Sequence, residues 1–480
     1  MSLNTLYLKN FNILIFISLF FVMYMYAAST LLITSVYMIY MTIILLYMYI
    51  IFRYIDSIFI KITSVLFYIG YVLSLPIIYM NKEKYKVSGW NAVGNFSFSL
   101  DGLLIVLSQI IFYFTIFLIV SLFLDKLLNL KYSYRKNNNT RISTFELNNL
   151  LIYLCLFLII MQFPLTSFMF QHAIGIVGIT PDTLPFHLSG ILYYYRLFIL
   201  PIVMFITIYG TMSKKYSLLI VLIIFLEAFY SGMLSVSRSL LIIHMFPVVY
   251  YFFSKKNKFL LITVIIFTLL FFSMVSMGRN YVYLIDGFNQ SNLFDILSSL
   301  FNDNSIDWLS LSSSSIFSII TRLGGIGQFI PTYFNTYNIN FVGYTYFIEN
   351  LLGLHSLFQN NFDEVKIIYG MTFPDDKAYG VAMDTFSYIY LSSLSINSII
   401  INFLLFCTLG IVGEKIFKII LIPFINENNF IILFHMLIVF SIPNQYIKFF
   451  LFKGVFILFF MYLIMSVLLF KKFKYKVNYR

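Results

Sequence analysis

Charge is what this sequence has least of. Asp, Glu, Lys and Arg make up 10% of its 480 residues, where a soluble domain carries about 25%. That shortage excludes an ordinary soluble fold. Cysteine is almost missing too: Cys155 and Cys407 both lie inside apolar runs, which leaves no disulfide framework and no metal-ligand pair. The ten-residue alternating segments of a membrane β-barrel are absent. So are the P-loop G-x-x-x-x-G-K-[ST], the zinc-protease H-E-x-x-H, a clustered Cys/His zinc site and the G-x-S-x-G nucleophile elbow. No metal site and no cofactor is implied. An enzyme built on this chain needs a substrate that brings its own activated bond. The net charge of +12 fits cytoplasmic anchoring residues better than a nucleic-acid surface.

What is present is hydrocarbon. Apolar runs of about 20 residues recur, each able to cross roughly 30 Å at 1.5 Å per residue. The expected fold class is an all-α polytopic membrane protein with about twelve transmembrane helices in one integral domain. They fall near 12–30, 31–52, 62–80, 102–124, 148–169, 190–210, 216–234, 239–253, 259–277, 386–413, 430–447 and 453–470. The first run leads almost at once into the second and reads as a retained helix rather than a cleaved signal. The eighth is short, with room to extend back through Arg238. Nine helices thus occupy 12–277 and three occupy 386–470, ahead of a basic tail at 471–480.

Basic residues set the orientation. Lys9, Arg53, Lys61, the cluster Lys126/Lys131/Arg135/Lys136/Arg141, Lys214/Lys215, Lys255/Lys256/Lys258, Lys415/Lys418 and the tail share one side. Positive-inside makes that side cytoplasmic, with both termini there. The other side receives the loops 81–101 and 170–189 and one long segment, 278–385. A segment of that length is expected to be functional and partly structured, with apolar stretches suited to a lid resting on the bilayer. The inner loop 125–147 reads as a polar linker.

Against this bias, four arginines fall on the outer side. Arg238 stands in Ser235-Val-Ser-Arg-Ser-Leu-Leu241, a pause between two apolar runs. Arg279 follows Ser276-Met-Gly278, Arg322 precedes Leu323-Gly-Gly-Ile-Gly327, and Arg196 ends Tyr193-Tyr-Tyr-Arg196, one to two turns into the sixth helix. A guanidinium is always charged, and its fork matches phosphate oxygens. Several around a diphosphate would bind a lipid carrier and stabilise it as a leaving group without metal. Each alone equally suits a snorkelling or helix-capping residue. His172, His187 and His355 are outer-side candidates for a base or a phosphate donor. Asp384 directly precedes a helix and suits an N-cap as well as a base. His244, six residues after Arg238, points away from it at 100° per residue, and His435 reads as a packing residue. Tyr193 to Tyr195, Tyr333, Tyr337, Tyr344 and Tyr346 suit sugar stacking, but an interfacial aromatic belt accounts for most of them.

Three stretches carry a family resemblance: Leu188-Ser-Gly-Ile-Leu-Tyr-Tyr-Tyr-Arg-Leu-Phe-Ile-Leu-Pro201, Ser235-Val-Ser-Arg-Ser-Leu-Leu241, and the layout of twelve helices with a large outer loop holding Arg279 and Arg322 before the last three. In these the chain resembles the bacterial O-antigen polymerases (Wzy type) and related oligosaccharide repeat-unit polymerases. Val236 stands where the family motif usually has glycine. The resemblance implies a glycosyltransferase of the bacterial inner membrane with its active site facing the periplasm, acting in lipopolysaccharide O-antigen biosynthesis. A glycan chain on undecaprenyl diphosphate is passed to a repeat unit on a second carrier. It implies diphosphate binding by Arg196, Arg238, Arg279 and Arg322, and catalytic roles for Arg238, Arg279, His355 and Asp384, with the general base open between the last two. Implied partners are undecaprenyl-diphosphate-linked glycans, membrane lipids, a chain-length regulator and a flippase, and no nucleic acid.

Two rival readings compete. An O-antigen ligase uses the same donor and hands the chain to lipid A-core. A lipid-linked oligosaccharide flippase or transporter should place polar residues along a path through several helices, whereas the helix interiors here are expected to be almost free of charge.

Overall fold

The computed structural model describes residues 3–80, 98–129, 149–176, 182, 184–185, 188–212, 214–235, 237–284, 326, 329–330, 333, 385–391 and 395–421. The described chain is all helix apart from short connections, and it includes nine helices long and apolar enough to cross a membrane. This is an all-α polytopic membrane architecture. The spans expected at 430–447 and 453–470 lie outside the described residues, as do most of the long segment 278–385 and the tail.

In chain order the helices are α1 (Leu3–Ala28), α2 (Leu31–Tyr54), α3 (Ile58–Met80, with a π turn at Tyr68–Leu73), α4 (Leu100–Asn129) and α5 (Asn149–Gln171). Then follow α6 (Leu188–Thr211, with a π turn at Tyr195–Ile199), α7 (Ser217–Leu234), α8 (Arg238–Ser254), α9 (Lys258–Leu284), α10 (Thr385–Leu391) and α11 (Ile396–Leu421). The run 386–413, expected as one helix, is two: α10 ends at Leu391, and α11 restarts behind Ser395, whose hydroxyl caps it by accepting from Ser398 N. A serine in extended chain competes for backbone donors and so begins helices. The first nine expected spans correspond to α1–α9.

The helices group into two compact units, α1–α4 with α10 and α11 in one, and α5–α9 in the other. In the first unit α3 is the central element, buried along nearly its whole length. Its partner rings form a dense cluster: Phe67 against Phe114, Phe117 and Phe386, and Tyr71 stacked on Phe386 at 4.3 Å between centroids. By contrast α1 turns Phe16, Phe20 and Met23 outward, as a helix facing lipid does. Gly410 lets α11 close on α3. A β-carbon there would stand 2.0 Å from the Phe59 ring.

Charges pin one end of this unit. Asp125 of α4 accepts from Asp56 N and Ser57 N at 3.1 and 3.2 Å. Glu414 of α11 accepts from Ser57 Oγ at 2.7 Å and Phe59 N at 2.9 Å. The first-turn amides of a helix have no partner within it; Glu414 takes one of them, Phe59 N, while Asp125 holds the two amides just before the helix, and both carboxylates stand at the end favoured by the helix dipole. Lys415 Nζ donates to Leu128 O at 2.8 Å. Three sequence expectations are corrected at this end. Lys61, read as a loop residue, is inside α3 and fully buried, because the cap at Ser57 starts the helix earlier than the apolar run suggests. Asp125 and Lys126, assigned to the inner loop, belong to α4. The helix interiors are not nearly free of charge, since Lys61, Asp125, Glu414 and, in the second unit, Glu227 are all buried within helices.

Candidate functional site

The second unit carries the residues of interest. Its α5 packs on α6 and α7, α8 packs on α6 and α7, and α9 lies against α8. At its C-terminus α5 unwinds through Ala173 (φ 53°) and Gly175 (φ 72°). Ile174 N donates to Met169 O at 2.7 Å and Ala173 N to Phe170 O at 3.1 Å, a left-handed helix ending that recovers orphan carbonyls.

Arg196 completes that ending. It sits in the π turn of α6 and is 1% exposed, and its Nη2 donates to Ile174 O at 3.3 Å and Gly175 O at 3.5 Å. The approach is possible because residue 175 is glycine. Because α6 begins at Leu188, Arg196 lies slightly more than two turns in, a little deeper than the sequence reading of one to two turns. In this arrangement the guanidinium binds backbone carbonyls rather than standing open at the rim.

The backbone of Arg196 is also used. In a π turn a carbonyl faces the residue five positions on, and for Arg196 that residue is Pro201, which has no N–H. The carbonyl is taken by His244 Nε2 of α8 at 2.9 Å, while His244 Nδ1 meets Glu227 Oε2 of α7 at 2.9 Å. Both side chains are 0% exposed. Arg196 Nε and Glu227 Oε1 have no hydrogen-bond partner. Counting 1.5 Å per residue, Glu227 lies about 10 Å below the end of α7 at Leu234, His244 about 9 Å below Arg238, and Arg196 about 12 Å below Leu188. Three helices therefore contribute to one charged layer in the interior of the unit. Glu227 was not singled out from sequence. Its signal was that it is the sole acidic residue in the run 216–234, and an ionisable group inside a span is a functional candidate by default.

Arg238 opens α8. Ser237 is the N-cap, its Oγ accepting from Leu240 N at 3.4 Å and its carbonyl from Leu241 N at 3.2 Å. The turn joining α7 to α8 is held by Ser237 N to Gly232 O at 3.1 Å and Ser235 N to Ser231 O at 3.2 Å. At Gly232 a β-carbon would stand 2.9 Å from Leu241 Cβ, so glycine permits the tight hairpin. The first amides of α8 and a basic residue thus share one helix start, a combination suited to anions. Arg279 lies within α9, which continues to Leu284 rather than ending at 277. The side chains of Arg238 and Arg279 are outside the described part of the structure, and Arg322, His355, Asp384, His187 and His435 are outside the described residues altogether.

A second pair sits in the connection from α5 to α6. His172 Nδ1 and Asp182 Oδ2 are 3.0 Å apart, both partly exposed. Asp182 N donates to His172 O at 3.0 Å, Ser189 Oγ donates to Asp182 O at 2.8 Å, and the Phe168 ring lies 4.6 Å from the imidazole. Sequence reading marked His172 but not its carboxylate partner, ten residues away across a loop.

No protein-family model, curated protein or solved structure matches the chain. The fold and its buried charges define an all-α polytopic membrane protein with an ionisable layer inside one of its two helical units.

Proposed function

We propose that the protein is an O-antigen polymerase, a glycosyltransferase with twelve spans that joins undecaprenyl-diphosphate-linked repeat units at the periplasmic face of the inner membrane. The observation carrying this reading is Arg238 at the start of α8, behind the Ser237 cap. A basic residue at a helix start, where the helix dipole favours negative charge, suits the diphosphate of a lipid carrier. Arg279 and Arg322 are proposed as further diphosphate contacts. Arg196 is proposed as the residue that fixes the turn after α5, its guanidinium held by the Ile174 and Gly175 carbonyls.

In the proposed step an acceptor hydroxyl attacks the donor's anomeric carbon. The new C–O bond forms as the bond to the carrier diphosphate breaks, and the diphosphate leaves with that electron pair. The hydroxyl proton needs a base. His355 and Asp384 are proposed for it from the resemblance. Among the described residues, His172 has the required arrangement: Asp182 engages Nδ1, which leaves Nε2 as the proton acceptor.

The test is chain growth by purified protein supplied with lipid-linked repeat units already on the outer side. Growth without translocation supports a polymerase, and its absence refutes the reading. In cells, loss of the protein should leave lipopolysaccharide with a single repeat unit. Long chains stranded on the carrier would indicate a ligase instead. A flippase or transporter is the second reading. It gains support from the buried Arg196, Glu227 and His244, since polar groups inside a bundle mark pathways as often as rims. Translocation of a lipid-linked glycan without chain growth would favour it.

A further inference from the structure

The Glu227–His244 contact cannot be completed without a particular proton. His244 Nε2 faces a carbonyl oxygen, which only accepts, so Nε2 carries hydrogen. Nδ1 faces Glu227 Oε2 at 2.9 Å. A hydrogen bond there needs one proton between them, either on the carboxyl with neutral imidazole or on the imidazole with carboxylate. Both forms are neutral as a pair, which suits a site with 0% exposure. Without that proton, two lone pairs face each other at contact distance.

A second partner for the carboxylate is already in place. Arg196 Nε is a buried donor with no acceptor and Glu227 Oε1 a buried acceptor with no donor, and the two side chains act on each other electrostatically. Unpaired buried groups of opposite kind are costly and call for an explanation. We propose that Glu227 and His244 form an internal proton-binding site, and that release of its proton turns the Glu227 carboxylate from His244 to Arg196. The proton leaves Oε2 or Nδ1 for a water or base outside the unit, His244 keeps its bond to the Arg196 carbonyl, and the carboxylate accepts from Arg196 Nε. The same guanidinium holds the Ile174 and Gly175 carbonyls through long bonds of 3.3 and 3.5 Å. Proton release is thereby linked to the turn after α5.

The ionisable groups around the pair are few. On α6 they are Tyr193, Tyr195 and Arg196, and on α5 Cys155, which acts on Tyr195 as Glu227 does. Tyr230 of α7 is turned to Ser167 on α5. On α8 Tyr251 bonds Ser217 and Tyr250 packs on Phe205. From Phe259 to Val275 α9 has no ionisable residue. The proposal does not depend on the glycosyltransferase reading.

The experiment is pH-difference infrared spectroscopy of the full-length protein in lipid nanodiscs. Beside the signals of exposed groups, a protonation step carried by a buried carboxylic acid or an imidazolium band is expected. Because the proton belongs to the pair, E227Q and H244Q should each abolish the same step. E414Q, which alters a buried carboxylate of the other unit, should leave it intact. Survival of the step in either E227Q or H244Q overturns the proposal, as does its loss in E414Q or its absence from the wild type. Should E227Q not fold, H244Q alone decides, since it keeps the carboxylate and removes only its partner.

Discussion

The guanidinium of Arg196 occupies the space that a side chain at Gly175 would need: a β-carbon there would lie 2.3 Å from Nη2 and 2.9 Å from the Tyr193 ring. Gly175 also has φ 72°, where only glycine is at ease. Gly175→Ala should therefore destabilise the protein by about 1–3 kcal/mol, read as a lower melting temperature in detergent. The effects of Gly175→Ala and Arg196→Ala should not add. With alanine at 175 the guanidinium has already been displaced, so removing it costs less than in the wild type. Strictly additive losses would show that the two residues do not share the site.

Glu414 and Ser57 join α11 to the start of α3. Glu414→Ala leaves a buried hydroxyl and the Phe59 amide without an acceptor, a loss of about 1–3 kcal/mol. Glu414→Gln keeps one acceptor oxygen and should cost less. Thermal unfolding of the two variants checks the order, and equal loss would mean that the charge rather than the hydrogen bonds matters.

Among the described residues the apolar spans were legible in sequence, because a span needs about 20 apolar residues and nothing subtler. Arg238 was read in the serine pause ahead of a helix with room to extend back through it, and it proves to be the first residue of α8. Helix ends set by long-range partners were not legible. The start of α3 at Ile58 is held by carboxylates on α4 and α11 that bond Asp56 N and the hydroxyl of its cap Ser57, and no local pattern announces partners 69 and 357 positions away. Glu227 and His244 stand 17 residues apart on different helices, so only the hairpin formed by α7 and α8 brings them together. The π turn in α6 was likewise hidden, although Pro201 was in view.

Gly410 faces Phe59 with no room for a methyl group. Gly410→Ala should force the ring or the helix to move, at about 1–3 kcal/mol. Phe59→Leu in the same chain removes the clashing ring atoms and should recover part of the loss. Thermal melts of the single and double variants read this directly, and no recovery would place the strain elsewhere.

Arg238→Ala removes a guanidinium from the start of α8 but leaves the Ser237 cap and the hairpin bonds intact. The variant should insert in the membrane and melt as the wild type does, yet produce no polymer ladder. Lysine at the same place keeps the charge and loses the fork, so a partial ladder is expected. Normal ladders in Arg238→Ala would remove it from the diphosphate site, and normal ladders in Arg196→Ala would show that chain growth does not need the turn after α5 held by the guanidinium.

His172 is held on three sides: by Asp182 at Nδ1, by the Asp182 amide at its carbonyl and by the tilted Phe168 ring beside it. If its Nε2 accepts the acceptor hydroxyl's proton, His172→Ala should slow chain growth by about 10²–10⁴-fold with substrate binding retained. Asp182→Asn still meets the ring but can present the wrong tautomer, so it should slow growth less and shift the pH profile. Both side chains reach the surface, and neither change should alter the melting temperature much. The decisive comparison is between rate and binding. A loss of affinity for the lipid-linked unit at an unchanged maximal rate would make His172 a binding residue and return the search for the base to His355 and Asp384.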